Sequence, residues 1–317
     1  MSTAAASKPA ETGNGGGLST KSKFFIFLGI YLLVAILLYV IFGSDGKNEE
    51  FKPQDEFKLD PWIEIKIAGI DMSFNKAVLY LLLGCILTIG TMVWIARRMT
   101  ERAPNRTQTI MEGAYDLTYT QIAKNNMPAA AAAKWFPFVA TLFFFIWFSN
   151  MLGYIPLPVN DHETIDIFGI GFPSFALYAA TANLSVPLVL TLTVFVLYQI
   201  EGIRRHGFLP YVKGWLPAGV EGAAAVPIFF IEVISQFMRI ISLSVRLFAN
   251  ILAGHLLILF MGGGLAVLLG ITALGWITLP IAIAFFLLEV GLIATLQAFI
   301  FATLTSIYFG EASAGGH

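Results

Sequence analysis

The chain has 317 residues, of which 57% are hydrophobic and 12% are charged, and its formal net charge is −1. Soluble domains carry about 25% charged residues, and a mean hydropathy of +0.77 would leave too much apolar surface in water. The single cysteine, Cys85, excludes an intramolecular disulfide framework and a cysteine-based zinc cluster. The composition therefore excludes a secreted disulfide domain, a nucleic-acid-binding protein and an ordinary cytosolic enzyme. It favours an all-α polytopic membrane protein.

The chain begins with a polar tail and continues in six apolar stretches. Residues 1–20 are small and polar and predict a disordered tail. The first apolar stretch predicts a membrane anchor over 21–43, followed by an external acidic loop over 44–73. The remaining core, 74–317, contains five stretches that approach or exceed the roughly 20 residues of a membrane helix. These stretches lie at 74–96, 135–156, 174–200, 226–262 and 281–309.

The first apolar stretch also has a second interpretation. Lys21 and Lys23 precede an apolar run, as in the positively charged and apolar regions of a secretory signal. The run is long, and residues 39–44 lack a good cleavage site with two small residues. These features favour an uncleaved anchor.

Basic residues concentrate in three segments, which predicts the orientation of the chain. The twelve are Lys8, Lys21, Lys23, Arg97, Arg98, Arg102, Arg106, Lys124, Lys134, Arg204, Arg205 and Lys213. In contrast, 43–73 has four lysines among eight acids, and 263–280 has no charge. The segment 157–173 has only the acids Asp161, Glu163 and Asp166. Both termini are therefore predicted to be cytoplasmic, and the length and the tail favour a bacterial plasma (inner) membrane.

The fifth apolar stretch contains charged residues in a helical pattern. At 100° per residue, six polar side chains fall within about 40° of one line. They are Glu232, Ser235, Arg239, Ser242, Arg246 and Asn250. His255 follows Arg246 by nine residues and projects about 180° away. Two offset polar faces around one arginine suit an ion path better than a through-pore.

A purely structural interpretation of this pattern is also open. Arg239 and Glu232 are seven residues apart and would form a buried ion network without any role in transport. Arg239 would alternatively extend its guanidinium to the inner membrane surface.

Three motifs in the chain match the signatures of one known family. Residues 242–250 read SLSVRLFAN and are followed by Ala253-Gly254-His255, similar to the family pattern S-L-x-x-R-L-F-x-N…A-G-[E/H]. Residues 296–301, LQAFIF, resemble the signature of the last helix. Residues 150–156, NMLGYIP, are similar to N-x-x-[GD]-x-x-P. Together the motifs resemble subunit a of the F-type ATP synthase; the resemblance covers about 60–311, and the motifs occur in the family's order.

The resemblance implies a role for each matching residue. Arg246 would be the stator arginine that faces the ring of c subunits. The half-channel open to the inside would be bordered by Glu232, Arg239 and Ser242. The half-channel open to the outside would be lined by Asn250, His255, Glu289, Gln297 and Asn150.

The resemblance also implies the setting of these residues. The last two helices would form a long, tilted hairpin against the c-ring. The partners would be the c-ring, the b subunit of the peripheral stalk and the remaining ATP synthase complex. The subunit would translocate protons without a catalytic site, cofactor or metal of its own.

Two of the candidate site residues depart from the family pattern. His255 occupies a position that is Glu in some members, while the last helix supplies the acid Glu289. Glu289 precedes Gln297 by eight residues, where seven is the family spacing. In a straight α-helix this extra residue rotates Glu289 by about 100°. Its role is therefore expected to be less secure than that of His255.

Two other classes of protein remain as alternatives. A secondary transporter would use an intramembrane substrate site, with Arg246 binding an anion and Glu232 or Glu289 coupling an ion. An intramembrane enzyme would use His255 or Glu289 as a base. The sequence contains neither H-E-x-x-H nor G-x-S-x-G.

Overall fold

The structure is a computed structural model, and it describes nine parts of the chain. They are 19–42, 57–67, 70–71, 73–98, 106–158, 164–167, 170–173, 175–216 and 224–314. The predicted disordered tail lies outside the described residues except for its last two positions. Asp161 and Glu163 and much of the predicted acidic loop over 44–73 also lie outside them.

Four helices have the length of one membrane crossing. They are α1 (Thr20–Phe42), α2 (Lys76–Arg98), α4 (Ala129–Leu152) and α5 (Ser185–His206). Two shorter helices connect them: α3 (Arg106–Tyr115), which continues as a π-helix over Asp116–Lys124, and α6 (Phe208–Lys213).

Two helical segments are about twice as long as a single crossing. The first is α7 (Ala225–Leu259), which continues through a π-helical stretch, Phe260–Gly264, into α8 (Leu265–Leu269). The second is α9 (Thr272–Leu288), which continues through a π-helical turn, Glu289–Ile293, into α10 (Ala294–Ala314). Within the described residues, six helical spans are long and apolar enough to cross a membrane. The prediction of an all-α polytopic membrane protein is confirmed.

Short antiparallel strand pairs lie between the helices. The strands are β1 (Lys66–Ile67), β2 (Ile70–Asp71), β3 (Leu157–Pro158), β4 (Thr164–Ile167), β5 (Ile170–Pro173) and β6 (Phe175–Ala176). They pair as β1–β2, β3–β6 and β4–β5. A 3-10 turn over Ala180–Ala182 then leads towards α5.

Two predicted helix boundaries need correction. The stretch 174–200 is helical only from Ser185, because its first residues pair as strand β6 and form the 3-10 turn. The stretch 281–309 belongs to a helical segment that begins at Thr272. Apolar content alone does not separate an apolar strand from a buried helix. Pro280 lies inside α9, so the proline does not mark the start of that helix.

Helix α4 is at the centre of the described packing. It packs against α10 and α2, whereas α5 packs against α7 and α10. The Trp135 ring of α4 lies 4.2 Å from the Phe309 ring of α10, measured between centroids. The large cluster of buried side chains joins α4, α5, α7 and α10. The polar residues described below are therefore held between rigid, closely packed helices.

An ion cluster joins α4 to α5. The carboxylate of Glu201, whose side chain is 3% exposed, lies 2.5 Å from Lys134 Nζ and 2.8 Å from Arg205 Nε. A buried carboxylate needs such partners because its desolvation is costly. The contact fixes α4 against α5 near the segment that was predicted to face the cytoplasm.

Helix α1 lies at the periphery and packs against α9. The Tyr31 hydroxyl donates to the carbonyl of Trp276, and the two rings stack with centroids 5.3 Å apart. Ala35 is the one buried side chain that the structure describes in this helix. The other apolar side chains of α1 are suited to contact lipid.

Candidate functional site

The polar stripe predicted on α7 lies on a face that the other described residues cover only in part. Its six residues are each partly or fully exposed: Glu232, Ser235, Arg239, Ser242, Arg246 and Asn250. The opposite face is buried, and it includes Leu243, Leu247 and Ile251. The helix therefore turns its apolar side to α5 and α10 and its polar side outward.

Arg246 carries a charge that the described part of the chain does not neutralise. Its side chain is exposed, and no carboxylate of the described residues forms an ion pair with it. An arginine within a membrane helix needs a polar or charged partner, or water, because its insertion costs about 3 kcal/mol. Arg246 is thus available to a group outside this chain.

Arg239, two stripe positions before Arg246, is paired within the chain. Its Nη1 lies 2.5 Å from Oε2 of Glu311 on α10, and its guanidinium lies 4.9 Å from the centre of the Tyr308 ring. Glu232 instead accepts a hydrogen bond of 3.3 Å from Gln236 Nε2. The interpretation in which Glu232 and Arg239 pair with each other is therefore wrong.

His255 lies on the face of α7 opposite Arg246, as the spacing of nine residues predicts. The side chain is 4% exposed. Its Nδ1 lies 3.0 Å from the carbonyl oxygen of Ile251, and its Nε2 lies 3.0 Å from that of Gly153. A neutral imidazole donates to only one acceptor, so the ring donates to one of these two carbonyls. Both ring nitrogens of His255 therefore face the backbone.

Glu289 faces the same interior region, although the spacing from Gln297 predicts a rotation away from it. Glu289 and Gln297 are each 6% exposed. The π-helical turn Glu289–Ile293 lies between them. A π-helical turn takes up one extra residue per turn, so it absorbs the eighth residue of the spacing. The expectation of a 100° offset is thus wrong, because that estimate assumed a straight α-helix.

The carboxyl of Glu289 lies against the backbone of α7. A Cβ added at Gly254 would overlap both carboxyl oxygens of Glu289. A Cβ added at Gly153 would overlap Ala179 and would come within 3.1 Å of His255 Nε2. Two glycines therefore leave room for these side chains: Gly254 for the carboxyl of Glu289 and Gly153 for the imidazole of His255.

Asn150 is fully buried between three elements of the chain. Its Nδ2 donates to the carbonyl of Ala294 at 3.3 Å, and its Oδ1 accepts from Thr181 Oγ1 at 2.7 Å. It thus lies on the interior side with His255, Glu289 and Gln297. Asn250 does not join them, since it remains on the exposed stripe. The candidate residues therefore form one interior set and one exposed set.

The sequence did not single out two residues that contact these sets. Tyr154 donates its hydroxyl to Glu289 Oε2 at 2.9 Å, and it lies within the NMLGYIP motif that contains Asn150. Glu311 pairs with Arg239. Glu311 is the one acid in the last 20 residues of the sequence, and this isolation could have indicated it as a candidate site residue.

The fold and these two sets define a class of protein: a polytopic membrane protein with an outward-facing arginine and a buried imidazole–carboxyl site. The family model described as ATP synthase A chain matches residues 78–310. The chain belongs to this family, which makes it a subunit of the ATP synthase complex. Family membership does not favour the secondary transporter or the intramembrane enzyme.

Several bacterial proteins named ATP synthase subunit a are similar along most of the chain. The protein of Rubrobacter xylanophilus is 35% identical over 252 residues, which cover 78% of this chain and 86% of that relative. The protein of Paramagnetospirillum magneticum is 34% identical over 82% of this chain and 97% of its own length. The protein of Hyphomonas neptunium is 32% identical over 82% and 95%, respectively.

Proposed function

We propose that the chain is the proton-translocating stator subunit of an F-type ATP synthase and that Arg246 couples proton flow to rotation of the c-ring. The exposed, unneutralised Arg246 on the polar face of α7, opposite the buried His255 and Glu289, carries this proposal. The subunit provides two offset half-channels and has no catalytic site of its own. ATP is made elsewhere in the complex.

Arg246 acts on the membrane carboxylate that each c subunit carries past it. At an effective dielectric constant of 20, two opposite charges 4 Å apart attract by about 4 kcal/mol. This energy corresponds to about a thousandfold change in proton affinity. A protonated carboxyl that reaches Arg246 therefore releases its proton. The same positive charge repels any proton that would pass directly from one half-channel to the other.

The driving energy comes from the membrane potential and the proton gradient. The potential supplies about 2.3 kcal/mol per proton for each 100 mV. A lysine would serve poorly at position 246 because a desolvated ammonium can lose its proton, whereas a guanidinium stays charged. A permanent charge is what keeps the two paths separate during every step of rotation.

The outer half-channel uses the interior set of residues. His255 of α7 and Glu289 of the π-helical turn both contact Tyr154, and imidazole and carboxyl groups are the residue types that relay protons in membrane proteins. Asn150 and Gln297 supply buried amides along this path. Asn250 lies one turn beyond Arg246 on the stripe, where the path would reach the c-ring.

The inner half-channel follows the cytoplasmic end of the stripe. Glu232, Arg239 and Ser242 border it, and Glu311 adds a carboxylate from the end of α10. In the Arg239–Glu311 pair, the arginine side chain is 25% exposed and the glutamate side chain is 49% exposed. Such a pair stays accessible to water, which a proton path to the inside requires.

The arrangement in the membrane follows from length and charge. Helix α7 has 35 residues and spans about 52 Å at 1.5 Å per residue, against a hydrocarbon core of about 30 Å. A steep tilt of the α7–α10 hairpin along the c-ring accommodates the excess. Both termini are cytoplasmic, and the membrane is a bacterial inner membrane. The chain has an uncleaved anchor at 21–43, an external acidic loop over 44–73 and the subunit core over 74–317. The b subunit binds outside the rotor contact.

The test is ATP-driven proton pumping in inverted membrane vesicles that contain the complete complex. Arg246→Ala and Arg246→Lys are expected to remain in the membrane but to abolish pumping. Arg97→Ala, which removes an exposed arginine at the end of α2, is the matched control and should pump at the wild-type rate. Substantial coupled pumping by either Arg246 variant would refute the proposed function.

A further inference from the structure

One buried side chain contacts both titratable groups of the interior set, His255 and Glu289, and no role has yet been given to it. Tyr154 lies two residues beyond the end of α4 and is 4% exposed. Its hydroxyl donates to Glu289 Oε2 at 2.9 Å. Its ring lies 4.7 Å from the His255 ring between centroids, with 33° between the planes. Tyr154 therefore contacts both groups at once.

The turn that carries Tyr154 also contacts His255 through its backbone. The carbonyl oxygen of Gly153 lies 3.0 Å from His255 Nε2. Two adjacent residues thus contact two different helical segments, with the carbonyl directed at the imidazole and the hydroxyl at the carboxyl. Among the described residues, no direct hydrogen bond joins His255 to Glu289. The turn therefore connects the two groups through contacts to both.

The surroundings of Glu289 make this contact important. One side of its carboxyl faces Gly254 of α7, and the Tyr154 hydroxyl bonds one of its oxygens. The ring of Phe286 packs edge-on against Tyr154, with centroids 6.0 Å apart. The Tyr154 ring is therefore packed on two sides, against His255 and Phe286, with its hydroxyl directed at Oε2 of Glu289.

We infer that Tyr154 is a positioning residue of the outer half-channel: its hydroxyl holds the Glu289 carboxyl beside His255, in the orientation in which protons pass. This inference rests on the proposed function of the chain. A hydrogen bond to a charged group is among the stronger single polar contacts in a protein. Its loss would leave the carboxyl free to turn away while the ring of residue 154 still fills its place.

The test measures passive proton conduction through the membrane sector in vesicles stripped of the catalytic head, per assembled complex. Tyr154→Phe removes the hydroxyl and keeps the ring, and it should lower conduction about tenfold. Tyr178→Phe, which removes the hydroxyl of a tyrosine that is 2% exposed and packs against Tyr80, should stay within about twofold of wild type.

A double-mutant cycle separates positioning from simple packing. Glu289→Asp shortens the side chain and withdraws its carboxyl from Tyr154, so Tyr154→Phe should cause no further loss in that background. Unchanged conduction in Tyr154→Phe, an equal loss in both backgrounds, or failure of Tyr154→Phe to assemble would each overturn the inference. Arg246→Ala in intact inverted vesicles distinguishes the two proposals: if that variant pumps protons at a substantial rate with ATP, the proposed function itself is wrong, whatever Tyr154→Phe does in the stripped vesicles.

Discussion

Gly254→Ala should displace the Glu289 carboxyl of the interior set without unfolding the subunit. A Cβ at position 254 would overlap the carboxyl of Glu289, so the carboxyl must retreat by about 1 Å to reach the ordinary carbon contact of ~3.5 Å. The carboxyl is the end of a flexible side chain, and the cost to stability is therefore expected at the low end for overpacking, about 1 kcal/mol. The hydrogen bond from Tyr154, at 2.9 Å, would be broken by the same movement.

The functional cost of this movement is larger than the cost to stability. A hydrogen bond to a charged group contributes about 1.5–3 kcal/mol, and each 1.4 kcal/mol is a factor of ten. Proton conduction should therefore fall by about 10- to 100-fold while the amount of assembled complex stays close to wild type. The assay is passive conduction in vesicles under an imposed potential, with the subunit quantified in the same membranes.

Two controls and one double variant define the result that would refute this reasoning. Gly262→Ala and Gly291→Ala introduce a Cβ into open space and should conduct normally. Glu289→Asp already withdraws the carboxyl from Gly254 and Tyr154, so Gly254→Ala should cause little further loss in that background. Wild-type conduction in Gly254→Ala, or an equal further loss in the Glu289→Asp background, would show that the carboxyl does not occupy the space beside Gly254.

Two further predictions concern the π-helical turn and the ion cluster. Deletion of Gly291 should convert the π-helical turn Glu289–Ile293 into α-helix, and at least half of the subunit should still assemble. Deletion of Ile300 should abolish assembly because it rotates the rest of α10 by about 100°. Immunoblots of membranes measure the amount of each variant, and equal amounts would contradict the presence of the π-helical turn. Lys134→Met should lower the free energy of unfolding by about 1–3 kcal/mol, since Glu201 is left with one cation. Thermal denaturation measures this loss, with Lys213→Met as the control, and equal stability of the two variants would contradict a stabilising Lys134–Glu201 contact.

The architecture could be predicted from the sequence wherever it depends on one segment at a time. Each membrane crossing is a local property, because a helix must satisfy its own peptide groups in lipid and cover them with apolar side chains. The opposite directions of Arg246 and His255 could also be predicted, since both residues lie on one continuous α-helix with a fixed rotation per residue. The true starts of the two helices that were predicted to begin at 174 and 281 could not be predicted, because helices, strands and turns can all be apolar.

The contacts between segments could not be predicted from periodicity. Arg239 pairs with Glu311 rather than with Glu232, although Glu311 is 72 positions away in the sequence. Tyr154 bonds Glu289 across 135 positions. Neither pairing has a local signal, because the approach of two helices depends on how all their side chains pack together.

The sequence by itself determined the membrane class, the six spans, the family motifs and the face of α7 on which each charged residue lies. Only the tertiary structure decided which groups meet. The π-helical turn brings Glu289 back to the interior, and the turn after α4 places Tyr154 between Glu289 and His255. The physical reason is that helical rotation is a property of the local backbone, whereas a proton site is built from side chains that converge from separate helices.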